Sequence, residues 1–238
     1  MGDPFVHLRT VSSFSLRHGV STPEDLVTRA VDLGQRALAL TDRDGLYGAV
    51  RFAQACRDAD LGAILGVDFA LVAGGSGAPG VRRRTPVRGG AAVWEPDSRA
   101  VVFARGGRGW AALCRLVSAV QLAGERGRPA ATAELIAEYA RHGDLIVMLG
   151  SDSTVGQAVA RRRPDLADAE LRWWCQQIGP GAVRVEIASH RSRDASPGAA
   201  TDRAGAGRVV LRSSATAARL LGVAREVGIG AVLSNAVR

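Results

Sequence analysis

The chain has 238 residues, 24.8 kDa and 47% hydrophobic content, which excludes disorder as its main state and allows one large α/β domain or two small ones. Its formal charge is +8 with every basic residue an arginine, so the charge reads either as attraction to a polyanion or as coding bias. No stretch approaches the roughly 18 apolar residues of a membrane span, and Cys56, Cys114 and Cys175 form no Cys-x-x-Cys pair, which argues against a disulfide framework or zinc ribbon and fits a soluble protein of the reducing cytoplasm.

Phe5 to Val11 reads as a strand. Thr22-Pro23-Glu24-Asp25 then supplies a helix cap, a proline at the first helical position and two acids in the first turn; Leu26, Ala30 and Leu33 recur at helical spacing up to Gly34. Ala37 to Thr41 is a short apolar strand that delivers Asp42-Arg43-Asp44 at its carboxyl end, where α/β folds keep their chemistry. Leu46 to Ala59 has helical periodicity, with Ala49, Phe52, Ala53 and Cys56 on one face. Ala63 to Val67 is a third strand closing at Asp68, and Phe69 to Val72 continues as an edge or hairpin. Residues 73–90 are glycine-rich and predict a mobile surface loop. Its Arg82, Arg83 and Arg84 form a solvated face or a phosphate contact.

Ala91 to Trp94 and Ala100 to Ala104 predict two strands around a Glu95-Pro96-Asp97 turn. Helices follow at Gly109 to Leu122 and Thr132 to Arg141, then a buried strand at Leu145 to Leu149. Further helices are expected at Thr154 to Arg161 and Asp165 to Gln177, with a strand at Val183 to Ala188. Trp173 and Trp174 read as packing residues before a base-stacking platform. Residues 189–207 predict a polar loop, Ser213 to Val227 an amphipathic helix and Gly230 to Leu233 a last strand. About seven βα-like units with no solenoid repeat point to one barrel-like domain.

Several blocks of this sequence are specific. They are His7-Leu8-Arg9, Ser12-x-Phe14-Ser15-Leu16-x-x-Gly19, Ala39-Leu40-Thr41-Asp42-Arg43-Asp44-x-x-x-Gly48 and Ile64-Leu65-Gly66-Val67-Asp68. Gly109-Trp110-x-x-Leu113-Cys114-Arg115-Leu116-Val117-Ser118 and the closing Leu233-Ser234-Asn235-Ala236-Val237-Arg238 complete the set. In order and spacing they resemble the polymerase and histidinol phosphatase (PHP) domain that begins the alpha subunit of bacterial DNA polymerase III. The resemblance spans nearly the whole chain and is weakest over 150–207. It implies an α/β fold, a distorted (βα)7-type PHP barrel, TIM-like, as a single domain over 1–238.

Active members of that family bind metal ions at the carboxyl ends of the strands and hydrolyse phosphoesters, which needs neutral imidazoles and anionic oxygens converging on cations. This sequence keeps His7 of the opening pair but has Arg9 for the second histidine and Val11 for the next. His18 stands where an acid is usual, Arg43 replaces the histidine of the Thr-Asp-His-Asp motif, and Asp68 is shorter than the usual glutamate. The closing motif loses its aspartate to Ala236 and its histidine to Arg238. Neither His142, at a helix end, nor His190, in a polar loop, restores the set. A guanidinium has no lone pair for a metal. The expectation is therefore that Arg9, Arg43 and Arg238 fill the cationic space and pair with Asp42, Asp44 or Asp68, leaving a structural salt-bridge cluster without a cofactor. The alternative keeps His7, Asp42, Asp44 and Asp68 as remnant ligands for weak Mg²⁺, Mn²⁺ or Zn²⁺.

The implied role is a scaffold in DNA replication or repair synthesis, as a truncation, a split subunit or an excised domain that docks on the remainder of a DNA polymerase III alpha-like polypeptide. A divergent phosphoesterase or 3′ to 5′ exonuclease is the first rival, and a basic DNA-binding module resting on Arg82, Arg83 and Arg84 the second. Ser151-x-Ser153 lacks the glycines of a nucleophile elbow, and no glycine cluster forms a phosphate-binding loop after a strand.

Overall fold

The capping signal at Thr22 forms as its sequence directs: the hydroxyl accepts from Asp25 N–H at 3.2 Å while the Asp25 carboxylate accepts from Thr22 N–H at 3.2 Å, and Pro23 opens the helix. The computed structural model describes residues 5–72, 81–84, 93–96, 98–125, 127–129, 131–188, 214–234 and 236–237. In chain order the elements are β1 (Arg9–Thr10), α1 (Pro23–Asp32), β2 (Ala37–Arg43), α2 (Ala49–Asp58), β3 (Gly62–Leu71), β4 (Val81–Arg84), β5 (Val93–Pro96) and β6 (Ser98–Ala104). They continue with α3 (Gly106–Ala123), α4 (Ala133–Ala140), β7 (Leu145–Leu149), α5 (Thr154–Ala160), α6 (Pro164–Ile178), β8 (Val183–Ile187), α7 (Ser214–Val227), β9 (Ala231–Leu233) and β10 (Ala236–Val237).

Six strands form one sheet in the order β2-β3-β6-β7-β8-β9, parallel except for β6, which runs antiparallel to both neighbours. β1 and β10 pair in parallel, Arg9 opposite Ala236. Ala39 N–H donates to His7 O at 3.0 Å, which seats the run into β1 against β2, while β10 follows closely on β9. The pair thus bridges the two sheet edges, and the architecture is the expected distorted, TIM-like α/β barrel.

Strand parity sorts the side chains. Ala39, Ile64, Val101, Phe103, Ile146, Met148 and Val232 pack with Leu8 as one small cluster on the inner face. The alternate positions, among them Val67, Phe69, Val102, Leu145, Val147 and Leu149, join Leu113, Leu116, Ile136, Leu171 and Trp174 in the main core under the helices. Trp173 meets Trp174 edge to face at 5.0 Å, so this pair is packing. Gly66 is required where it stands, because a Cβ there would lie 2.7 Å from the Phe103 ring that crosses it. Among the described residues no helix is long and apolar enough to cross a membrane.

Four expectations change. The strand over Phe5 to Val11 contracts to two residues, and ahead of them His7 O accepts from Ala39 of β2. Phe69 to Leu71 is not a separate strand but the second half of β3, paired with antiparallel β6 on one side, beyond the point where β2 stops. The strand expected at Ala91 to Trp94 is β5, which pairs with β4, so Arg82, Arg83 and Arg84 sit on a hairpin strand in place of a loop. The rest of 73–90, the 189–207 loop, His190 and Arg238 lie outside the described residues.

Candidate functional site

Because β6 runs opposite to its neighbours, the amino end of β6 meets the carboxyl ends of the parallel strands. Ala70 of β3 stands opposite Arg99 of β6. Arg99 has the inward parity of Val101 and Phe103, Asp68 that of Ile64 and Gly66, and Glu186 that of Arg184 rather than of Val183 and Val185. These charges therefore converge at one mouth of the barrel, joined by Arg9 from β1, Asp44 after β2 and Asp152 after β7.

Arg9 lies at the centre. Its Nη1 donates to Asp152 Oδ1 at 2.8 Å and Glu186 Oε2 at 3.2 Å, and its Nη2 to Asp68 Oδ2 at 2.9 Å and Asp152 Oδ2 at 2.6 Å. The Asp152 contact is a bidentate fork, the geometry a guanidinium favours. Arg99 closes the other side: Nε donates to Asp68 Oδ1 at 2.9 Å, and Nη2 to Asp44 Oδ1 at 3.2 Å and to the Asp68 carbonyl. Asp44 holds a left-handed φ of 54°, which aspartate tolerates, and its Oδ1 also accepts Ala70 N–H at 2.6 Å. The side chains of Arg9, Arg99, Asp68 and Glu186 are buried, while Asp152 and Asp44 reach the surface.

Burial alone would disfavour every charge here. For Asp68 it is outweighed by Arg9, Arg99 and the nearby Arg43, which hold its carboxyl well below the usual carboxylate range. Burial likewise opposes the charge of Arg9 and Arg99, and Asp68, with Asp152 and Glu186 for Arg9 and Asp44 for Arg99, raises both guanidinium pKa values above the ordinary one. Both oxygens of Asp68 accept from guanidinium N–H groups, and a carboxylate titrating that low is a poor proton acceptor at neutral pH.

The sequence-predicted residues divide. Arg9, Asp44 and Asp68 come together. Asp42 does not join them: it shares the parity of Leu38 and Leu40, which pack toward α1 and α2, and among the described residues it forms no ion pair with an arginine. Its Oδ1 accepts from Ser12 N–H at 2.8 Å and from the Ser15 hydroxyl at 2.7 Å, and the Ser12 hydroxyl lies 2.9 Å from both oxygens. Arg43 meets His18, Nη1 to Nε2 at 2.9 Å, and its charge acts on Asp68 through space. His7 packs edge to face on Phe5 at 5.0 Å. Arg82, Arg83 and Arg84 lie on β4, and Arg238 lies outside the described residues.

Arg99, Asp152 and Glu186 are the residues sequence reasoning missed. Glu186 carried a signal, a lone acid alternating with apolar residues inside a strand, and Asp152 another, an acid just past a strand's carboxyl end. The donor set does not suit a metal cluster, because the converging carboxylates are already bonded to two groups that cannot ligate. Among the described residues no group of three or more His, Cys, Asp or Glu side chains is arranged to hold an ion.

A family model described as the PHP domain matches residues 7–190. The error-prone DNA polymerase of Mycolicibacterium paratuberculosis is 35% identical over 189 residues, 79% of this chain and 16% of its own length. That of Mycobacterium tuberculosis is 35% identical over 188 residues, 78% and 16%. The chain thus spans about a sixth of the length of these curated relatives. Among solved structures, one assigned as a metal-dependent phosphoesterase of Bifidobacterium adolescentis superposes with a TM-score of 0.58 at 13% identity, covering 99% of this chain and 89% of that one. An amidohydrolase of Chromobacterium violaceum, with bound sulfate and no metal, gives 0.56 at 14%, covering 98% and 87%. At these identities the likeness speaks for the fold.

Proposed function

The chain belongs to the PHP domain family, and from that premise we propose that it is the PHP module of a polymerase-type polypeptide, with a metal-free mouth that serves as a structural clasp in DNA replication or repair synthesis. The observation that carries this reading is Arg9, whose guanidinium lies within 3.2 Å of Asp68, Asp152 and Glu186 at once. A cation inserted there would meet a permanently protonated group in the place of a ligand. Arg99 repeats the substitution on the far side of Asp68.

The clasp joins β1, β3, β6, β8 and the loops after β2 and β7. Such a network holds the mouth in one arrangement, and removing a member exposes the rest to an unpaired buried charge. The similarity to error-prone DNA polymerases, of which this chain matches about a sixth, supports a role as one module of a larger synthetic assembly, and the same likeness supports the remainder of such a polypeptide as its partner.

The rival, a divergent phosphoesterase or exonuclease, is tested directly. Purified chain is incubated with Mn²⁺ or Zn²⁺ and either bis-p-nitrophenyl phosphate or a single-stranded oligonucleotide. The expected result is no hydrolysis above the metal-only blank. Metal-dependent turnover that disappears in Asp68→Asn would overturn the reading.

A further inference from the structure

Large apolar side chains exposed on the described residues number ten, and six of them, Phe14, Leu16, Val20, Tyr47, Val50 and Leu122, come from three segments at one rim of the barrel. The segments are the loop after β1, the connection from β2 into α2 together with the first turn of α2, and the last turn of α3. Their adjacency follows from contacts. The Arg51 guanidinium lies 5.8 Å over the Phe14 ring, next in sequence to Val50, and Gln121 Nε2 donates to Asp44 O at 2.6 Å, which sets the end of α3 against the connection that carries Tyr47.

The exposure is built in. Ser13 N–H to Ser21 O at 2.8 Å closes the base of the loop, and His18 and Gly19 N–H both donate to Ser15 O, at 2.9 and 3.0 Å. Ser12 and Ser15 tie it to Asp42, and a Cβ on Gly19 would meet Ser12 O at 2.0 Å. A loop fixed this way holds Leu16 at 81% and Val20 at 89% exposure, and at the same rim Val50 is 75% and Leu122 86% exposed. Clustered apolar surface of this kind marks an interaction site, whereas scattered residues do not.

We propose that this rim is a docking face for an apolar polypeptide surface contributed by the part of a polymerase-type protein that lies outside this chain. The partner's identity rests on the function proposed above; the rim itself does not. Relatives devote about a sixth of their length to the matching region, so most of their polypeptide adjoins it, and a domain so placed buries part of its surface against its neighbours. A second copy fits poorly, since it would bring the exposed Arg17 of a +8 chain against itself. Nucleic acid fits poorly too, because Asp44, Asp68, Asp152 and Glu186 outnumber Arg9, Arg43 and Arg99 at the adjoining mouth.

The test immobilises overlapping peptides covering the Mycobacterium tuberculosis error-prone DNA polymerase outside the region this chain matches, and probes them with the full chain. The wild type should retain a discrete set. Leu16→Glu/Val50→Glu should weaken that retention by about tenfold or more, as the loss of anchor side chains does, while Leu166→Glu on the exposed face of α6 leaves it unchanged. Tyr47→Ala repeats the test should the double variant fail to fold. Absence of any retained peptide, retention unaffected by the rim variants, or equal loss in Leu166→Glu would overturn the proposal. So would a dimer in light scattering that the rim variants dissolve, or protection of the rim by single-stranded DNA. Stoichiometric bound metal would sink the proposed metal-free clasp yet leave peptide capture intact, so the two failures are separable.

Discussion

Replacing Arg9 by alanine removes one guanidinium and four hydrogen bonds, at 2.6, 2.8, 2.9 and 3.2 Å. Asp68 keeps Arg99, but Glu186 and Asp152 lose the donor that joins them to the network. Breaking a buried ion pair from one side costs about 3–5 kcal/mol, because the orphaned charge stays out of water. In a domain of this size each kcal/mol moves the melting point by about 2–4 °C, so Tm should fall by roughly 6–20 °C. Circular dichroism melts at pH 7 read the change. Arg9→Lys keeps the charge without the fork and should fall between. Adding Glu186→Gln to Arg9→Ala removes one buried carboxylate that Arg9 had paired and should recover part of the loss, the non-additivity expected of partners in one network. The exposed pair Arg172 and Asp168 is the control, and Arg172→Ala should leave Tm unchanged. An Arg9→Ala protein melting within about 2 °C of wild type would refute the reasoning, since no buried charge would then depend on Arg9.

The clasp also sets an acid limit. Asp68 has a folded pKa lowered by Arg9 and Arg99 against the opposing effect of burial, so its contribution is full above the unfolded aspartate value of about 3.9 and is lost as pH falls from there toward the folded value. Tm should therefore decline below about pH 4, and Asp68→Asn should flatten that decline while lowering Tm at pH 7. Gly48→Ala places a Cβ 2.7 Å from Asp42 Oδ2 and 3.0 Å from Ser12 Oγ, and chemical denaturation should show a loss of about 1–3 kcal/mol. Thr22→Ala removes the α1 capping box and should cost about 1 kcal/mol in the same assay. Burial pushes the Cys56 thiol up to about 11, so at pH 8 a thiol reagent should label Cys114 and Cys175 and reach Cys56 only after unfolding.

Local signals were the legible ones. The cap at Thr22, the apolar run into Asp42, and the spacing of Ala49, Phe52 and Cys56 located elements because each states a preference decided within a few residues. Arg9 and Asp68 were legible as members of one mouth through the family pattern. Arg99 was not, because its place depends on β6 running antiparallel, and an all-parallel reading looks for chemistry only at carboxyl ends. Asp42 was misassigned for a related reason: it sits at the expected end of β2, but strand parity turns it toward α2 and its serine partners. Spacing finds the end of a strand. Which face a residue takes needs the neighbouring strands.

Metal content joined to a melt tests the central claim most directly. Protein purified without chelators is assayed by elemental analysis, then melted with and without added Mn²⁺ or Zn²⁺. A ligand bound only by the native state at a hundred times its Kd adds about 2.7 kcal/mol, equivalent here to roughly 5–11 °C. The arginine clasp predicts no stoichiometric metal and an unchanged Tm. One or more equivalents of metal together with an upward shift of that size would contradict it, because the carboxylates around Arg9 would then be ligands and not its partners.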